Sequence, residues 1–408
     1  MSARRVVVTG IGLYSPIGAS LKEASAALQA GRHGIRTMHE WSNVKGLFTR
    51  LGAPAVGLPE KFPRKRIRTM GRVSILAMCA TDQALAEAGL GAERLREPDV
   101  GVAYGSTNGS SLEQELWVGA LLRNGGLEGL GSLDYVKFMS HTCAANLGID
   151  LGVTGRVIST CSACVSGSQA IGAGFEAIRA GAGNIMICGG AEELHFTSAA
   201  IFDLLYAAST KYNDHPARSP RPFDKDRDGL VVGEGACTLV LEEYDHARAR
   251  GARPLAEIVA YATNCDGTHI TSPSAQGMAA VMKRALKDAG LGAERIQYVN
   301  AHGTGTEVGD IAESQATMEV FGDGVPVSST KSFTGHTLGA CGALESAFCI
   351  AMMAEGWMAH NRTLETRDER CAPLDLILHA PRAKALDLVM NNNFAFGGIN
   401  TSLILARI

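Results

Sequence analysis

The chain has 408 residues, of which 46% are hydrophobic and 19% charged, and its formal net charge is −3. This length is sufficient for two core-forming halves, and so small a charge gives no bulk attraction to nucleic acid or to a membrane surface. The ten cysteines are scattered through apolar segments, which favours free thiols in a reducing cytosol. Because no apolar run is typical of a signal peptide or a membrane span, we expect a cytoplasmic protein.

The first predicted strand, Arg4–Thr9, leads into Gly10-Ile11-Gly12, which we interpret as a turn. A glycine turn after a first strand is typical of dinucleotide-binding folds, but the full G-x-G-x-x-G pattern is missing here. We therefore expect no nucleotide cofactor at this place. A basic stretch follows at Lys61–Arg72, where a solvated surface or a docking site for an acidic partner is expected.

One sequence of seven residues, A-G-L-G-A-E-R, occurs at both Ala88–Arg94 and Ala289–Arg295. Each copy follows an alanine-rich helical pattern and precedes a predicted strand, which indicates a duplicated α/β unit. We divide the chain into halves at residues 1–250 and 251–408. The first half contains an extra helical and loop-rich stretch at about 107–155, which we expect to form a cap or a dimer arm.

The segment Val157–Ala177 predicts a buried strand, a turn containing Cys164, and a helix rich in small residues. Free N–H groups and the helix dipole at such a turn favour the thiolate form of a cysteine. A cysteine is more often a packing residue, and Cys161 forms a C-x-x-C with this one. Since no second C-x-x-C accompanies it, a zinc ribbon is not favoured. The rest of the chain favours a catalytic cysteine.

Three later segments place polar groups just after predicted strands, namely Tyr298–Asp310, Ser329–Gly342 and Asn391–Thr401. The first two contain His302 and His336, each flanked by glycine, which favours a site over isolated polar residues. A different segment, Asp224–Gly229, begins like a calcium loop but has glycine at its twelfth position. We therefore interpret it as a salt-linked structural loop.

In order and spacing, the motifs of this chain resemble those of the elongating β-ketoacyl-acyl carrier protein synthases, the condensing enzymes I and II of bacterial fatty acid synthesis. The resemblance covers essentially the whole chain. The motifs that carry it are T-G-x-G (9–12), S-A-C (162–164), G-G-A-E-E (189–193), R-P-F-D-x-x-R-D-G (221–229), G-E-G-A (233–236), H-G-T-x-T-x-x-x-D (302–310), K-x-x-x-G-H-x-x-G-A-x-G (331–342) and F-x-F-G-G-x-N (394–400).

This resemblance implies an α/β thiolase-like fold, in which two duplicated halves form five αβαβα layers. The implied activity is a decarboxylative Claisen condensation by an acyltransferase of the EC 2.3.1 class. An acyl group held on the enzyme reacts with malonyl-acyl carrier protein to give 3-oxoacyl-acyl carrier protein and CO2, in fatty acid or related polyene or polyketide elongation. The resemblance further implies acyl carrier protein as the partner, a homodimer, and no cofactor beyond the phosphopantetheine of the carrier.

The resemblance also assigns roles to residues of the reaction centre. Cys164 corresponds to the acylated nucleophile, and His302 and His336 complete a Cys-His-His set. The backbone N–H groups of Cys164 and Phe396 correspond to an oxyanion hole. Lys331, with Glu313 as its expected ion-pair partner, would hold the histidines, and Asp310 would support the loop that contains His302.

Further residues correspond to substrate, partner and ion contacts of the family. Thr304 and Thr306 match hydroxyl ligands of the phosphopantetheine arm, and Phe394 and Phe396 match phenylalanines that gate the site beside a mobile Gly397–Gly398 loop. The basic residues Arg64, Lys65, Arg66 and Arg68 would dock the acidic carrier protein. Asn300, Glu345, Asn391 and Asn400 match positions that in some members surround a structural monovalent cation, although Asn391 replaces the usual serine.

Four departures from the family pattern bear on the substrate. The gating loop has Ala395 for glycine and Ile399 for threonine, and both stiffen a backbone. At the base of the acyl pocket lie Thr107 and Asn108, and an asparagine there predicts a polar or shorter end of the pocket and a restricted acyl chain.

Two alternatives for the function of the chain stay open. One is a non-catalytic chain-length-factor-like partner subunit, and the other is a thiolase, although a thiolase needs a second cysteine near the C-terminus.

Overall fold

Residues 4–408 are described by the structure, a computed structural model. The strands of the first half are β1 (Val6–Tyr14), β2 (Arg36–Thr37), β3 (Leu51–Ala53), β4 (Val100–Gly105), β5 (Val157–Thr160), β6 (Ile185–Glu192), β7 (Val232–Gly233) and β8 (Gly235–Glu243). Its α-helices are α1 (Leu21–Gln29), α2 (Arg64–Ile67), α3 (Arg72–Ala88), α4 (Ala92–Leu95), α5 (Ser111–Asn124), α6 (Asp134–Phe138), α7 (Thr142–Leu151), α8 (Ser166–Arg179), α9 (Phe196–Leu204) and α10 (Tyr244–Ala249).

The second half continues the same alternation of strands and helices. Its strands are β9 (Ala256–Cys265), β10 (Tyr298–Asn300), β11 (Pro326–Ser328), β12 (Trp357–Met358), β13 (Asp375–Leu376), β14 (Arg382–Ala383), β15 (Leu388–Phe394) and β16 (Ile399–Ala406). Its α-helices are α11 (Ala275–Ala289), α12 (Glu307–Phe321), α13 (Lys331–Thr334) and α14 (Cys341–Glu355).

Within residues 4–408, the main sheet has eleven strands in the order β13-β11-β10-β15-β16-β9-β1-β8-β6-β4-β5. Read outward from the β1–β9 seam, the first five strands of each half have the same order and the same pattern of parallel and antiparallel pairs, and the second half adds β13 as a parallel edge strand. The repeated sequence lies at equivalent places, because Gly89 and Gly290 end α3 and α11 in the left-handed conformation. The duplication inferred from the sequence is therefore present in the backbone.

Helices separate and cover the two halves of the sheet, giving the five αβαβα layers that were predicted. Helices α8 and α14 pack against each other in the central layer, where each contacts strands of both halves. Helices α3 and α7 cover the outer face of the first half, and α11 and α12 lie in the outer layer of the second. Three hydrophobic clusters fill the spaces between these layers.

The glycines near the N-terminus lie within a strand, so the prediction of a turn at Gly10–Gly12 is wrong. Strand β1 continues through both glycines to Tyr14. A Cβ at Gly10 would lie 2.1 Å from the carbonyl oxygen of Ala84, and one at Gly12 would lie 2.0 Å from that of Ala80. These glycines therefore allow α3 to pack directly on the strand.

Strand β5 lies at the edge of the sheet, and the prediction that it is buried is wrong for the single chain. Its first residue, Val157, is 47% exposed. The preceding insertion forms α5, α6 and α7 and leaves large apolar side chains such as Leu116 and Leu122 exposed. The first half therefore ends in an edge strand beside an apolar surface.

One segment of the described residues, Leu338–Glu355, is long and apolar enough to span a membrane, with a mean hydropathy of 1.3. Most of it is α14, and 89% of the segment is buried inside the protein. Its composition is thus that of a core helix of the central layer.

Candidate active site

The nucleophile candidate Cys164 lies in a tight turn between β5 and α8. The turn Ala163–Val165 is a 3-10 helix that begins with a positive φ of 48° at Ala163. The second half repeats this geometry at Leu338–Ala340, with a φ of 45° at Leu338, directly before α14. Gly339 is therefore the equivalent of Cys164, and the duplicated fold contributes a thiol at this position in only one of its halves.

The two predicted histidines converge on this cysteine. His336 Nε2 lies 3.0 Å from Cys164 Sγ. The ring centroids of His302 and His336 are 5.0 Å apart, and the rings are nearly perpendicular at 84°. The thiol and a ring nitrogen of each histidine lie within 4.8 Å of one another. The residues that the sequence identified in three separate segments thus form one buried cluster.

Electrostatics make both histidines neutral and keep the free cysteine protonated. Burial lowers the pKa of His302 and His336 well below 6.5, and the positive charge of Lys331 lowers them further. Burial raises the pKa of Cys164 to about 12, although Lys331 and the backbone N–H groups of Cys164 and Phe396 act in the opposite direction. The backbone N–H groups do favour the thiolate, as the sequence predicts for this turn, but desolvation outweighs them in the free enzyme.

The predicted ion-pair partner of Lys331 is also wrong. The Lys331 ammonium donates to the Glu345 carboxylate, and both side chains are buried. Glu313 instead accepts hydrogen bonds from the backbone N–H groups of His302 and Gly303, at 2.7 Å each. Glu313 therefore fixes the loop that contains His302, while Glu345 on α14 fixes Lys331.

A second carboxylate, that of Asp310, is hydrogen-bonded to the same loop. Its oxygens accept hydrogen bonds from the backbone N–H groups of Phe223 and Gly305. Burial raises the pKa of Asp310 to about 6, against the charge of Arg227. The loop ends with Thr304 and Thr306, whose hydroxyl oxygens are 2.9 Å apart.

A cavity opens onto the cluster. The predicted residues that line it are Cys164, His302, His336, Thr304, Thr306, Asp310, Glu313, Phe394, Phe396 and Gly398. Gly397 and Gly398 have φ angles of +87° and +69°, values that favour glycine. Phe202, Leu230 and residues of the segment 266–273 also line the cavity and were not predicted from the sequence. The signal for that segment is the run of glycine, serine and proline after β9.

The segment 266–273 is joined to the predicted gating loop. The backbone N–H of Gly397 donates to Ile270 O at 2.8 Å, and that of Asp266 donates to Gly398 O at 2.8 Å. The Asp266 carboxylate also accepts a hydrogen bond from the Asn400 amide. One wall of the cavity mouth is therefore formed by two mutually bonded loops.

Thr107 and Asn108, which were predicted at the base of the acyl pocket, have different surroundings in the structure. Thr107 donates from both its backbone N–H and its hydroxyl to the buried Glu192, which also accepts from the Gly339 N–H. The Asn108 amide donates to Gln114 at 3.2 Å, and Asn108 does not line the described cavity. Within the described single chain, Thr107 supports the turn behind the site, while the role of Asn108 stays a prediction.

The four basic residues predicted to dock a carrier protein are not equivalent. Arg64, Lys65 and Arg68 are exposed on and just after α2. The Arg66 guanidinium instead donates to the carboxylates of Asp82 and Asp150. Arg66 therefore ties α2 to α3 and α7.

The four residues predicted around a cation are not brought together. Asn391 and Asn300 are hydrogen-bonded to each other, at 2.9 Å. Asn400 pairs with Phe394 across the sheet, so period-two alternation places it on the face opposite Asn391. Its amide there contacts Asn264 and Asp266. The proposed ligand set is therefore wrong in including Asn400.

The loop that begins like a calcium site is a structural loop. The Asp224 carboxylate is paired with Arg221 and accepts the backbone N–H of Asp226. Asp228 accepts from the Ser209 hydroxyl and the Thr210 N–H. These carboxylates are used in fixing the chain, as the sequence interpretation expected.

Known proteins are similar to this chain over nearly its full length. The models of the beta-ketoacyl synthase N-terminal and C-terminal domains match residues 3–247 and 255–365. The 3-oxoacyl-[acyl-carrier-protein] synthase 1 of Haemophilus influenzae is 36% identical over 405 residues, which are 99% of each chain. A crystal structure of a beta-ketoacyl synthase from Burkholderia phymatum is 52% identical with a TM-score of 0.96, covering 99% of this chain and 100% of the other. The ishigamide ketosynthase/chain length factor is 32% identical with a TM-score of 0.92, over 100% of both chains.

Proposed function

This chain belongs to the β-ketoacyl synthase family, and we propose that it catalyses the decarboxylative condensation of an enzyme-bound acyl group with malonyl-acyl carrier protein. The observation that carries this proposal is the convergence of one thiol and two neutral imidazoles at the base of a cavity. The products are 3-oxoacyl-acyl carrier protein and CO2.

The first half-reaction transfers the acyl group to Cys164. Because the pKa of this thiol is raised by burial, attack on the thioester requires removal of its proton, and His336 Nε2 at 3.0 Å is placed to accept it. The sulfur bonds to the acyl carbon, and the carrier thiol leaves with a proton. The N–H groups of Cys164 and Phe396, which already face this sulfur, donate to the tetrahedral oxyanion.

The second half-reaction forms the carbon–carbon bond. When malonyl-acyl carrier protein loses CO2, negative charge develops on its thioester oxygen, and neutral His302 has one N–H with which to stabilise it. His336 has one as well once its proton lies on Nε2, which is the tautomer opposite to the one that accepts the Cys164 proton. Donors of this kind are worth about 3–4 kcal/mol each, so the step needs neither a metal nor an organic cofactor. The carbanion attacks the acyl group on Cys164, the carbon–sulfur bond breaks, and the thiol is regenerated.

Mass spectrometry after incubation with an acyl thioester tests this mechanism. We expect one acyl adduct on Cys164 in the wild type, none in C164S, and an undiminished adduct in C161S, because Cys161 is the exposed cysteine of the same turn. A His302→Ala variant should still be acylated while malonyl decarboxylation falls by about 100-fold or more. Absence of any adduct would favour the runner-up function, a non-catalytic chain-length-factor-like subunit.

The proposed partner is an acyl carrier protein, which the names of the relatives include. The exposed Arg64, Lys65 and Arg68 give a cationic surface for this acidic protein. Thr304 and Thr306 offer hydroxyl groups to its phosphopantetheine arm inside the cavity. The substrate proposal is a restricted acyl chain, and turnover of short, medium and long acyl carriers tests it, since equal turnover of all three would exclude it.

We also propose that the chain acts in the cytoplasm as a homodimer. Each subunit would consist of two halves, residues 1–250 and 251–408. The unpaired edge of β5 and the exposed side chains of Val157, Leu116 and Leu122 support dimerisation through this side of the first half. Replacing Val157 with lysine should shift the mass measured by light scattering toward the monomer. A wild type that is monomeric at micromolar concentration would exclude the dimer.

A further inference from the structure

The family resemblance predicts a monovalent cation near Asn391. In the structure, the side-chain amide of Asn391 contacts the groups around this position. Its Nδ2 donates to Gly342 O and to Ser346 Oγ, at 3.1 Å each. Its Oδ1 accepts from Asn300 Nδ2 at 2.9 Å. The orientation of this amide is fixed chemically, because a backbone carbonyl can only accept a hydrogen bond.

The side-chain oxygens of Asn300 and Glu345 are also engaged, and that of Asn300 accepts from the Tyr298 hydroxyl at 3.3 Å. One Glu345 oxygen accepts from the Lys331 ammonium and the other from Asn393 Nδ2, at 2.6 Å for the latter. Asn400 lies on the opposite face of the sheet. Around this position in the described residues, the Asn393 Oδ1 atom is the side-chain oxygen without a hydrogen-bond partner. A bound alkali cation needs several oxygens to replace its hydration shell, so these residues do not fit one.

We propose that in this chain the N–H groups of Asn391 take the place of a structural monovalent cation. A cation and an amide N–H can both contact carbonyl and hydroxyl oxygens, here Gly342 O and Ser346 Oγ, which are also hydrogen-bonded to each other at 2.7 Å, but the amide is covalently part of β15. Asn393, two residues along the same face of the strand, orients Glu345 in the same way. The site beside the Lys331–Glu345 pair is then complete without any bound ion.

Thermal unfolding in different chloride salts tests this proposal without an activity assay. At equal ionic strength, the wild-type melting temperature should be the same in sodium, potassium and tetramethylammonium chloride to within about 1 °C. The Asn391→Ser variant should melt lower in tetramethylammonium, which is too large to enter, and should regain stability in sodium or potassium. Asn392→Ser is the matched control. Its side chain contacts Met282 and Ser402 on the other face, so it should lose stability equally in all three salts.

A direct measurement accompanies the unfolding experiment. Crystals soaked in rubidium chloride should show an anomalous peak near Gly342 O and Asn300 in the N391S variant and none there in the wild type. A rubidium peak at this position in the wild type, or a wild-type melting temperature that depends on the alkali cation, would overturn the proposal. So would an N391S variant that responds to potassium no more than the N392S control.

Discussion

Replacement of Lys331 by methionine tests the corrected ion pair most directly. The Lys331 and Glu345 side chains are 1% and 3% exposed, so the variant leaves a carboxylate buried without a counter-charge. Breaking a buried pair in this way costs about 3–5 kcal/mol of unfolding free energy. We expect chemical denaturation of K331M to show a loss of this size at neutral pH.

The loss should depend on pH in a defined direction. Burial already raises the pKa of Glu345 above its ordinary 4.5, and Lys331 opposes that shift. In K331M the opposing charge is gone, so the folded-state pKa is higher still. A carboxyl whose pKa is raised on folding stabilises the protein below the unfolded pKa, and this contribution is lost as the pH rises through the folded pKa. The deficit of K331M should therefore be smallest near about pH 5 and grow toward about pH 8.

Two double variants complete the test. K331M/E345Q removes the buried charge while retaining an acceptor for Asn393, and it should regain most of the lost stability. K331M/E313Q should not, because Glu313 bonds to backbone N–H groups rather than to Lys331. Better rescue by E313Q than by E345Q would refute the assignment of the pair.

Three further outcomes are expected. Burial raises the pKa of Cys164 to about 12, so the rate of its alkylation by iodoacetamide should rise without a plateau between about pH 6 and 9. A rate that reaches a plateau below about pH 8 would contradict this. G10A places a Cβ 2.1 Å from a carbonyl oxygen of α3 and should lower the free energy of unfolding by at least about 2 kcal/mol in chemical denaturation. Gly91 has open space around it, so the G91A control should unfold with a free energy within about 0.5 kcal/mol of the wild type. K65E should raise the KM for acyl-acyl carrier protein in a salt-dependent way and leave stability unchanged, whereas R66A should lower stability. Equal effects of the two variants on KM would contradict a docking role for Lys65 and a structural role for Arg66.

The sequence alone predicted the duplicated α/β architecture and the three side chains that meet at the cavity. Both are encoded locally: the repeated A-G-L-G-A-E-R ends a helix in each half, and Cys164, His302 and His336 each lie in a short glycine-containing segment after a strand. Local conformation depends mainly on neighbouring residues, so such patterns can be interpreted without a structure. The turn predicted at Gly10 is wrong, because the sequence does not distinguish a glycine required for close helix packing from one required for a turn.

Only the tertiary structure decided which groups are partners. Glu313 and Glu345 are both acidic residues near the site in sequence, yet the distance from Lys331 depends on how α12 and α14 pack, and α14 brings Glu345 to it. Asn391 and Asn400 lie nine positions apart, but the register of β15 against β16 places them on opposite faces of the sheet. Burial is likewise a property of the packed layers, and it is burial that protonates the free thiol and neutralises both imidazoles.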